Sequence, residues 1–408
     1  MNLFVVNKKD PRLMTPDNFK YVGKPMLISQ NAKIAIRHFI NQHYPDIGKH
    51  ADFKDNPIPW MTFTNPDHIR ALEEGAHVFF YRAGGAGDLL MIAPLLQSLK
   101  KRYPKVEITF ATDKKFHGIA RMLPCIDHIE SFPIIEDTYK KFDMYSSFYE
   151  TIELHSNKSR TMHGVDLFAD HIGWEWAEDD EKVAKLELTK KGQKRIDKLF
   201  VRDKVPAGAD IVVVQFRASN VNRAFDLTKM ADVIGKIGSR PNTHVFVVGG
   251  KPEECHFAWK NEDGSPMASI HKVLGELQWH ETAALVSRAN ICIAPDSALV
   301  HIAGSMGIPC VGLYGPFPSE IRTIYYPEAI AVEAEAKCAP CFAHGSWPCT
   351  HLSKRLDDMT DKKGNKPIWA PAPCWDSVKV EDVLAPVARI LDHENESNEE
   401  DQCPHEES

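Results

Sequence analysis

Residues 77–112 read HVFFYRAGGAGDLLMIAPLLQSLKKRYPKVEITFAT. His77–Tyr81 is a short apolar run that predicts a buried strand. The turn Arg82-Ala83-Gly84-Gly85-Ala86-Gly87-Asp88 follows, and its glycines let the backbone turn tightly. LLMIAPLLQSLKKRY then predicts an apolar helix, and VEITFAT from Val106 a second strand. Strand, helix and strand in that order make a βαβ unit, whose two strands are parallel because the helix carries the chain back across the sheet.

A second alternating series starts at Ile211. IVVVQF predicts a strand, Leu227–Ile237 a helix, and THVFVVGG a strand. Glu281–Arg288 predicts a helix, ICIA a strand, LVHIAGSM a helix and PCVGLYG a strand. Two such series predict two doubly wound, Rossmann-like α/β domains facing a cleft. The boundaries fall at 76–205 and 206–391. Residues 1–75 are an N-terminal extension of mixed composition, with an amphipathic helix expected around Ala32–Asn41. Residues 392–408 are acidic and poor in apolar side chains, which predicts a disordered tail.

The composition agrees with that division. A chain of 408 residues favours two domains over one. Its 49 basic and 56 acidic residues give a formal charge of −7, mixed along the chain, which disfavours nucleic acid or anionic lipid as the main partner. The first residues, MNLFVVNKKDPRLM, have neither the apolar core nor the small-residue cleavage site of a secretion signal. No run approaches the roughly 18 apolar residues of a membrane span. A cytoplasmic location is the expectation.

The glycine turn suits a ligand, because glycines admit it without a Cβ in the way and the helix start offers free N–H groups to an anion. Its spacing does not fit G-x-G-x-x-G, so a nicotinamide dinucleotide is a poor reading. Asp88 carries two readings. It caps the helix, which contributes roughly 1 kcal/mol, or it is a carboxylate on the floor of a cleft that acts as general base toward a sugar hydroxyl.

APDSALVHIAGSMGIPCVGLY, residues 294–314, predicts strand end, loop, helix and strand. Asp296 and Ser297 then follow a strand's C-terminal end, where open α/β sheets bind ligands. Asp296 can accept hydrogen bonds from sugar hydroxyls, and Ser297 with the helix N-terminus can meet a phosphate. The plainer alternative is an N-cap, with His301 an ordinary helix residue.

Together, GAGDLLMIAPLLQSLKKRYPKVEITFAT and DSALVHIAGSMGIPCVGLYGP resemble the opening unit and the donor-side motif of glycosyltransferase family 9, the heptosyltransferases. Their order, and their separation by a full domain, match as well. The resemblance covers about Ala76 to Ile390. It implies a GT-B fold and inverting, metal-independent transfer from a nucleotide sugar, typically ADP-heptose, to a glycan or protein hydroxyl, as in lipopolysaccharide biosynthesis. Asp88 is implied as catalytic base. The implied donor-side set is Gly85, Gly87, Arg217, Arg223, Asp296, Ser297, Ala298 and His301. Where the family has a lysine on the phosphates, QFRASNVNRAF offers Arg223 or Arg217, a forked donor in place of a point charge. Ala298 stands where the family has glycine, so the loop must avoid positive φ there or accept strain.

Cys338, Cys341, Cys349 and Cys374 are clustered, and two thiols two residues apart can chelate one metal while two more complete a tetrahedral site. His344 and His351 are alternative ligands, and a loop of reduced cysteines is the plainer account. Autotransporter-type members of the family, which also carry an N-terminal extension, use such a cluster for iron. The resemblance therefore implies a structural iron or zinc here, with no cofactor for catalysis. The segment from Thr350 to Pro373 is long for that pattern. Rival functions are a transferase of another nucleotide sugar, including protein- or DNA-directed transfer, and a non-catalytic nucleotide-sugar sensor or scaffold. A homo-oligomer is compatible with all of these.

Overall fold

The structure, a computed structural model, describes residues 2–6, 26–28, 51–55, 61–82, 84–131, 141–148, 151–154, 157–218, 220–250, 257–343, 349–359 and 370–400. The helix expected around Ala32–Asn41 and the end of the tail, residues 401–408, lie outside them. Two compact units emerge, Met1–Lys185 and Leu186–Ser408.

In the first unit, β1 (Asn2–Val6) pairs antiparallel with β2 (Met26–Ile28) and β3 (Ala51–Asp55). Helix α1 (Pro66–Glu74) starts on the Asn65 side chain, which accepts from the Asp67 amide, and stops at Gly75 with φ +102°. Its left-handed C-cap lets the Gly75 N–H reach the carbonyls of Ala71 and Leu72. The chain then enters a parallel sheet ordered β6-β5-β4-β7. Its strands are β4 (His77–Tyr81), β5 (Glu107–Thr112), β6 (His128–Ser131) and β7 (Met144–Ser147). Between β4 and β5 runs α2 (Ala86–Arg102), which buries nearly every residue from Leu89 to Leu99. Helix α3 (Gly164–Ile172) comes close enough to α2 that a Cβ on Gly164 would sit 2.4 Å from the Met91 sulfur.

The second unit opens with α4 (Lys190–Arg202) and is built on β8 (Asp210–Gln215), β9 (Thr243–Val248), β10 (Ile270–Lys272), β11 (Ile291–Pro295), β12 (Cys310–Tyr314) and β13 (Ala329–Glu333). These form one parallel sheet in the order β10-β9-β8-β11-β12-β13, the doubly wound arrangement. Its helices are α5 (Leu227–Gly238), α6 (Trp279–Val286), α7 (Ala298–Ser305), α8 (Thr350–Asp358) and α9 (Val380–Glu400). The core on one face joins Val212, Val214, Phe225, Ile234 and Trp375 to Val383, Val387 and Leu391 of α9.

Two details differ from the expected boundaries. Helix α4 lies ahead of 206 yet packs on α6, where a Cβ on Gly192 would stand 2.6 Å from the His280 carbonyl oxygen. Its partner helix, rather than its place in the chain, assigns it to the second unit. Helix α9 also runs on to Glu400, because the glutamates after Asp392 are permissive helix formers. Among the described residues, no helix is long and apolar enough to cross a membrane.

Candidate active site

Both parallel sheets reverse their winding once, between β4 and β7 and between β8 and β11. At such a point adjacent loops diverge to opposite faces and leave room for a ligand beyond the strands' C-terminal ends. The residues singled out in the sequence flank these two places.

In the first unit the chain leaves β4 through Arg82, whose N–H still pairs with the Ala111 carbonyl at 3.0 Å. The Arg82 residue is 5% exposed. Its Nη1 donates to the Phe148 carbonyl just beyond β7, at 2.7 Å. Its Nε and Nη2 donate to Asp88 Oδ2 at 3.1 and 2.6 Å. Asp88 lies in the first turn of α2, and among the described residues its Oδ1 accepts no hydrogen bond. Gly85 precedes the helix at φ +78°, and a Cβ there would lie 2.2 Å from Asp88 Oδ2. Glycine is thus required twice, by the backbone angle and by the carboxylate. Gly87 sits within the same helical turn.

In the second unit Asp296 follows β11, with its amide held by the Leu313 carbonyl at 3.1 Å. Its carboxylate is 6% exposed and lies between two guanidinium groups. Arg223, on a short turn (Val221–Arg223) beyond β8, donates from Nη1 to the Asp296 carbonyl at 2.8 Å and stands 3.6 Å from Oδ2. Arg322, on the single turn Glu320–Thr323 beyond β12, places Nε 3.5 Å from the same oxygen. Its guanidinium also lies over the Phe317 ring, 4.4 Å from the centroid. Burial, and then the Asp296 carboxylate, push the phenol of Tyr314 well above its ordinary range.

Ser297 occupies the N-cap position of α7, but its hydroxyl makes no capping bond. It donates instead to Gln215 Oε1 at 2.9 Å, and Gln215 Nε2 donates to the Arg217 carbonyl at 2.8 Å. Ala298 is the buried first residue of α7 and has no positive φ, so the missing glycine leaves no strain. His301 is 4% exposed, with Nδ1 3.1 Å from the Tyr326 hydroxyl; its ring packs inside the unit.

The structure thus gathers Gly85, Gly87 and Asp88 in one unit, and Arg217, Arg223, Asp296, Ser297, Ala298 and His301 in the other. Sequence reasoning missed Arg82, Gln215 and Arg322 as site residues. Arg82 carried a signal, a cation at the strand end directly before the glycine turn. Arg322 carried none, since only β12 and its following loop bring it to Asp296.

The four cysteines line one cavity of about 200 Å³, with Asn222, His351, Gly315 and Pro316. The Cys338–Cys341 turn is fastened by the Phe342 N–H to the Pro316 carbonyl at 2.7 Å. The Cys349 N–H donates to Asn222 Oδ1 at 3.3 Å, which joins this loop to the turn bearing Arg223. Burial, followed by the charge of Cys338, Cys341 and Cys349, pushes the Cys374 thiol up to about 12. The four thiols share this cavity, but among the described residues no three of their sulfur atoms lie within 4.8 Å of one another. His344 lies outside the described residues.

Two doubly wound parallel-sheet units, each with its polar residues at the winding reversal, define a protein of the GT-B class. Residues 149–348 match the model of glycosyltransferase family 9 (heptosyltransferase). Lipopolysaccharide heptosyltransferase 3 of Escherichia coli is 29% identical over 115 residues, 28% of this chain and 33% of that protein. Lipopolysaccharide heptosyltransferase 1 of Pseudomonas aeruginosa is 27% identical over 97 residues, 24% of this chain and 26% of that protein. The matched segments therefore span about a third or less of these curated relatives. Among solved structures, a family 9 glycosyl transferase from Veillonella parvula superposes with a TM-score of 0.55 at 15% identity, covering 78% of this chain and 97% of its own. The E. coli ADP-heptose lps heptosyltransferase II gives 0.57 at 12%, covering 78% and 99%. The iron-containing dodecameric glycosyltransferase TibC of enterotoxigenic E. coli gives 0.53 at 13%, covering 91% and 82%. The chain is thus similar to glycosyltransferase family 9, the heptosyltransferase-like family, whose model its residues 149–348 match.

Proposed function

We propose that this chain is an inverting glycosyltransferase that moves heptose from ADP-heptose to a hydroxyl of a glycan or protein acceptor, without a catalytic metal. The observation that carries this reading is the second unit's site, where Arg223 and Arg322 converge on Asp296 beside the N-terminus of α7. A partly buried pair of guanidinium groups with a helix N-terminus suits a diphosphate. The named relatives support the choice of donor, since one is an ADP-heptose transferase and TibC was solved in complex with ADP-D-beta-D-heptose.

In the proposed reaction Asp88 Oδ1 takes the proton of the acceptor hydroxyl, while Oδ2 stays on Arg82. The acceptor oxygen attacks the anomeric carbon in line as the bond to the diphosphate breaks, which inverts that centre. Arg223 or Arg217, with the α7 N–H groups, meets the charge left on the nucleotide. Asp296 fixes both guanidinium groups and accepts from sugar hydroxyls. The first unit would serve the acceptor and the second the nucleotide sugar. The cysteine cluster would hold a structural iron or zinc. A cytoplasmic location and self-association complete the proposal.

The test is calorimetry with ADP-heptose and a transfer assay on wild type and Asp88→Asn. Asparagine keeps the size and the helix-start preference of aspartate. We expect unchanged donor affinity and a transfer rate lower by a factor of about 10² to 10⁴. A rate within tenfold of wild type, or no binding of any nucleotide sugar, would sink the reading.

A further inference from the structure

The first unit's sheet carries a separate constellation at its other edge. Strands β4, β5 and β6 are neighbours and parallel, so their N-terminal ends lie along one edge. In the register of these strands His77 faces Glu107 and Thr109 faces His128. One ligand atom from each of His77, Glu107 and His128 lies within 4.8 Å of the other two, the only such trio of His, Cys, Asp or Glu among the described residues. We propose that His77, Glu107 and His128 form a non-catalytic site for a borderline divalent transition-metal ion such as Zn²⁺.

Several contacts prepare these side chains. His77 Nε2 lies 2.7 Å from Thr109 Oγ1. Donation from Nε2 leaves the lone pair on Nδ1, which stands 4.0 Å from Glu107 Oε2. The Phe142 ring meets the His77 ring edge-on at 4.7 Å between centroids and limits its rotation. His128 Nε2 is hydrogen-bonded to Glu107 Oε1, so all three groups already converge. Two imidazoles and one carboxylate suit Zn²⁺, whose ligands lie about 2.0–2.2 Å from the ion. Such a donor set disfavours Ca²⁺ and Mg²⁺, which take oxygen ligands. The side chains are 21%, 48% and 53% exposed in chain order, so solvent reaches the site and water fills the remaining coordination.

The place in the fold sets the role. His77 begins β4 and Asp88 lies beyond its C-terminal end, so the length of the strand, about 13 Å, separates the trio from the glycine turn. The ion therefore acts as a staple across the starts of three strands, and no step of sugar transfer passes through it.

Titration of the full-length protein with Co²⁺ and Zn²⁺ decides the matter, using wild type, His128→Ala and Glu107→Gln. Thiolate-to-Co²⁺ charge-transfer absorption reports ions on the cysteines and is expected to be the same in all three proteins. We expect wild type to take up one more equivalent of metal than either variant, or to bind it more than about tenfold tighter. Zn²⁺ should raise the Tm of wild type further than that of the variants. Equal stoichiometry, affinity and Tm shift in all three would overturn the proposal and leave a plain His–Glu ion pair. A wild-type site that binds Ca²⁺ as well as it binds Zn²⁺ would overturn the ligand class.

Discussion

Arg82 holds Asp88 by one carboxylate oxygen, with Nε and Nη2 both on Oδ2 at 3.1 and 2.6 Å. The third arm of the same guanidinium is fixed on the Phe148 carbonyl at 2.7 Å. One side chain at the end of β4 thus joins the first turn of α2 to the exit of β7. The direction in which Asp88 presents Oδ1 is set by the sheet as well as by its own helix. The ordinary account of an aspartate in a helix's first turn, favourable charge near free N–H groups, does not explain that geometry by itself.

Replacing Arg82 by Met should therefore act on both stability and rate. It strips the donors from a partly buried carboxylate and a carbonyl, which costs about 2–3 kcal/mol. Transfer should fall at least about tenfold through kcat, because Oδ1 is no longer held in one direction. Denaturant unfolding and steady-state kinetics check this, and Arg82→Lys should recover only part of each, lacking the fork. A Met variant with wild-type kcat would show that the pair is structural alone.

Gly85→Ala and Gly84→Ala make a controlled comparison. A Cβ at Gly85 would meet Asp88 Oδ2 at 2.2 Å on a backbone with φ +78°, whereas one at Gly84 meets nothing within 4 Å. The Gly85 variant should lose about 1–2 kcal/mol of stability from the left-handed conformation, and most of its transfer activity because Asp88 must move. The Gly84 variant should stay close to wild type in both. Equal activity in the two would contradict the close approach of Asp88 to this turn.

The acid side of the stability curve should carry the signature of His271. Burial lowers its pKa from 6.5 to about 4, against the opposing pull of Asp203, 3.5 Å from Nδ1. His244, stacked on it with 2.9 Å between ring nitrogens, and Arg202 add to the depression. Between those two values the unfolded chain binds a proton that the native state refuses, so stability is complete above 6.5 and is lost as pH falls toward 4. The loss between about pH 7 and about pH 5 should be about 2 kcal/mol. Urea midpoints at the two pH values should differ less in His271→Gln, and an unchanged slope would remove His271 from the account.

For the cysteine cluster the expected outcome of metal loss is specific. Cys349 is hydrogen-bonded to Asn222, on the turn that carries Arg223. Cys374→Ser should abolish thiolate-to-metal absorption, lower the Tm, and raise the donor KM more than it lowers kcat. Identical thiolate absorption in wild type and variant would exclude Cys374 as a ligand.

Much of this fold was legible in the chain. HVFFY, VEITFAT and IVVVQF announce buried strands because parallel strands covered on both faces need no polar alternation. The glycine turn and the Asp296 loop announce themselves because a strand that passes into a helix around a ligand needs special residues at fixed offsets. Those are local rules, and they put Asp88 at a helix start and Arg223, Asp296 and Ser297 in the loops that follow strands. Less was legible in the N-terminal residues, whose β1–β3 pairing joins segments far apart in the chain.

What the chain by itself determined was the periodic alternation and the turn chemistry, since both act over a few residues. Only the tertiary structure decided which cations meet which carboxylates. Arg322 reaches Asp296 because β12 lies beside β11, and His77, Glu107 and His128 meet because three strands start side by side. Nor could sequence tell that His301 would turn to Tyr326, or that Ser297 would leave its helix for Gln215. Such contacts depend on the lateral order of strands, and that order follows from the burial of whole faces, a property no short window of sequence contains.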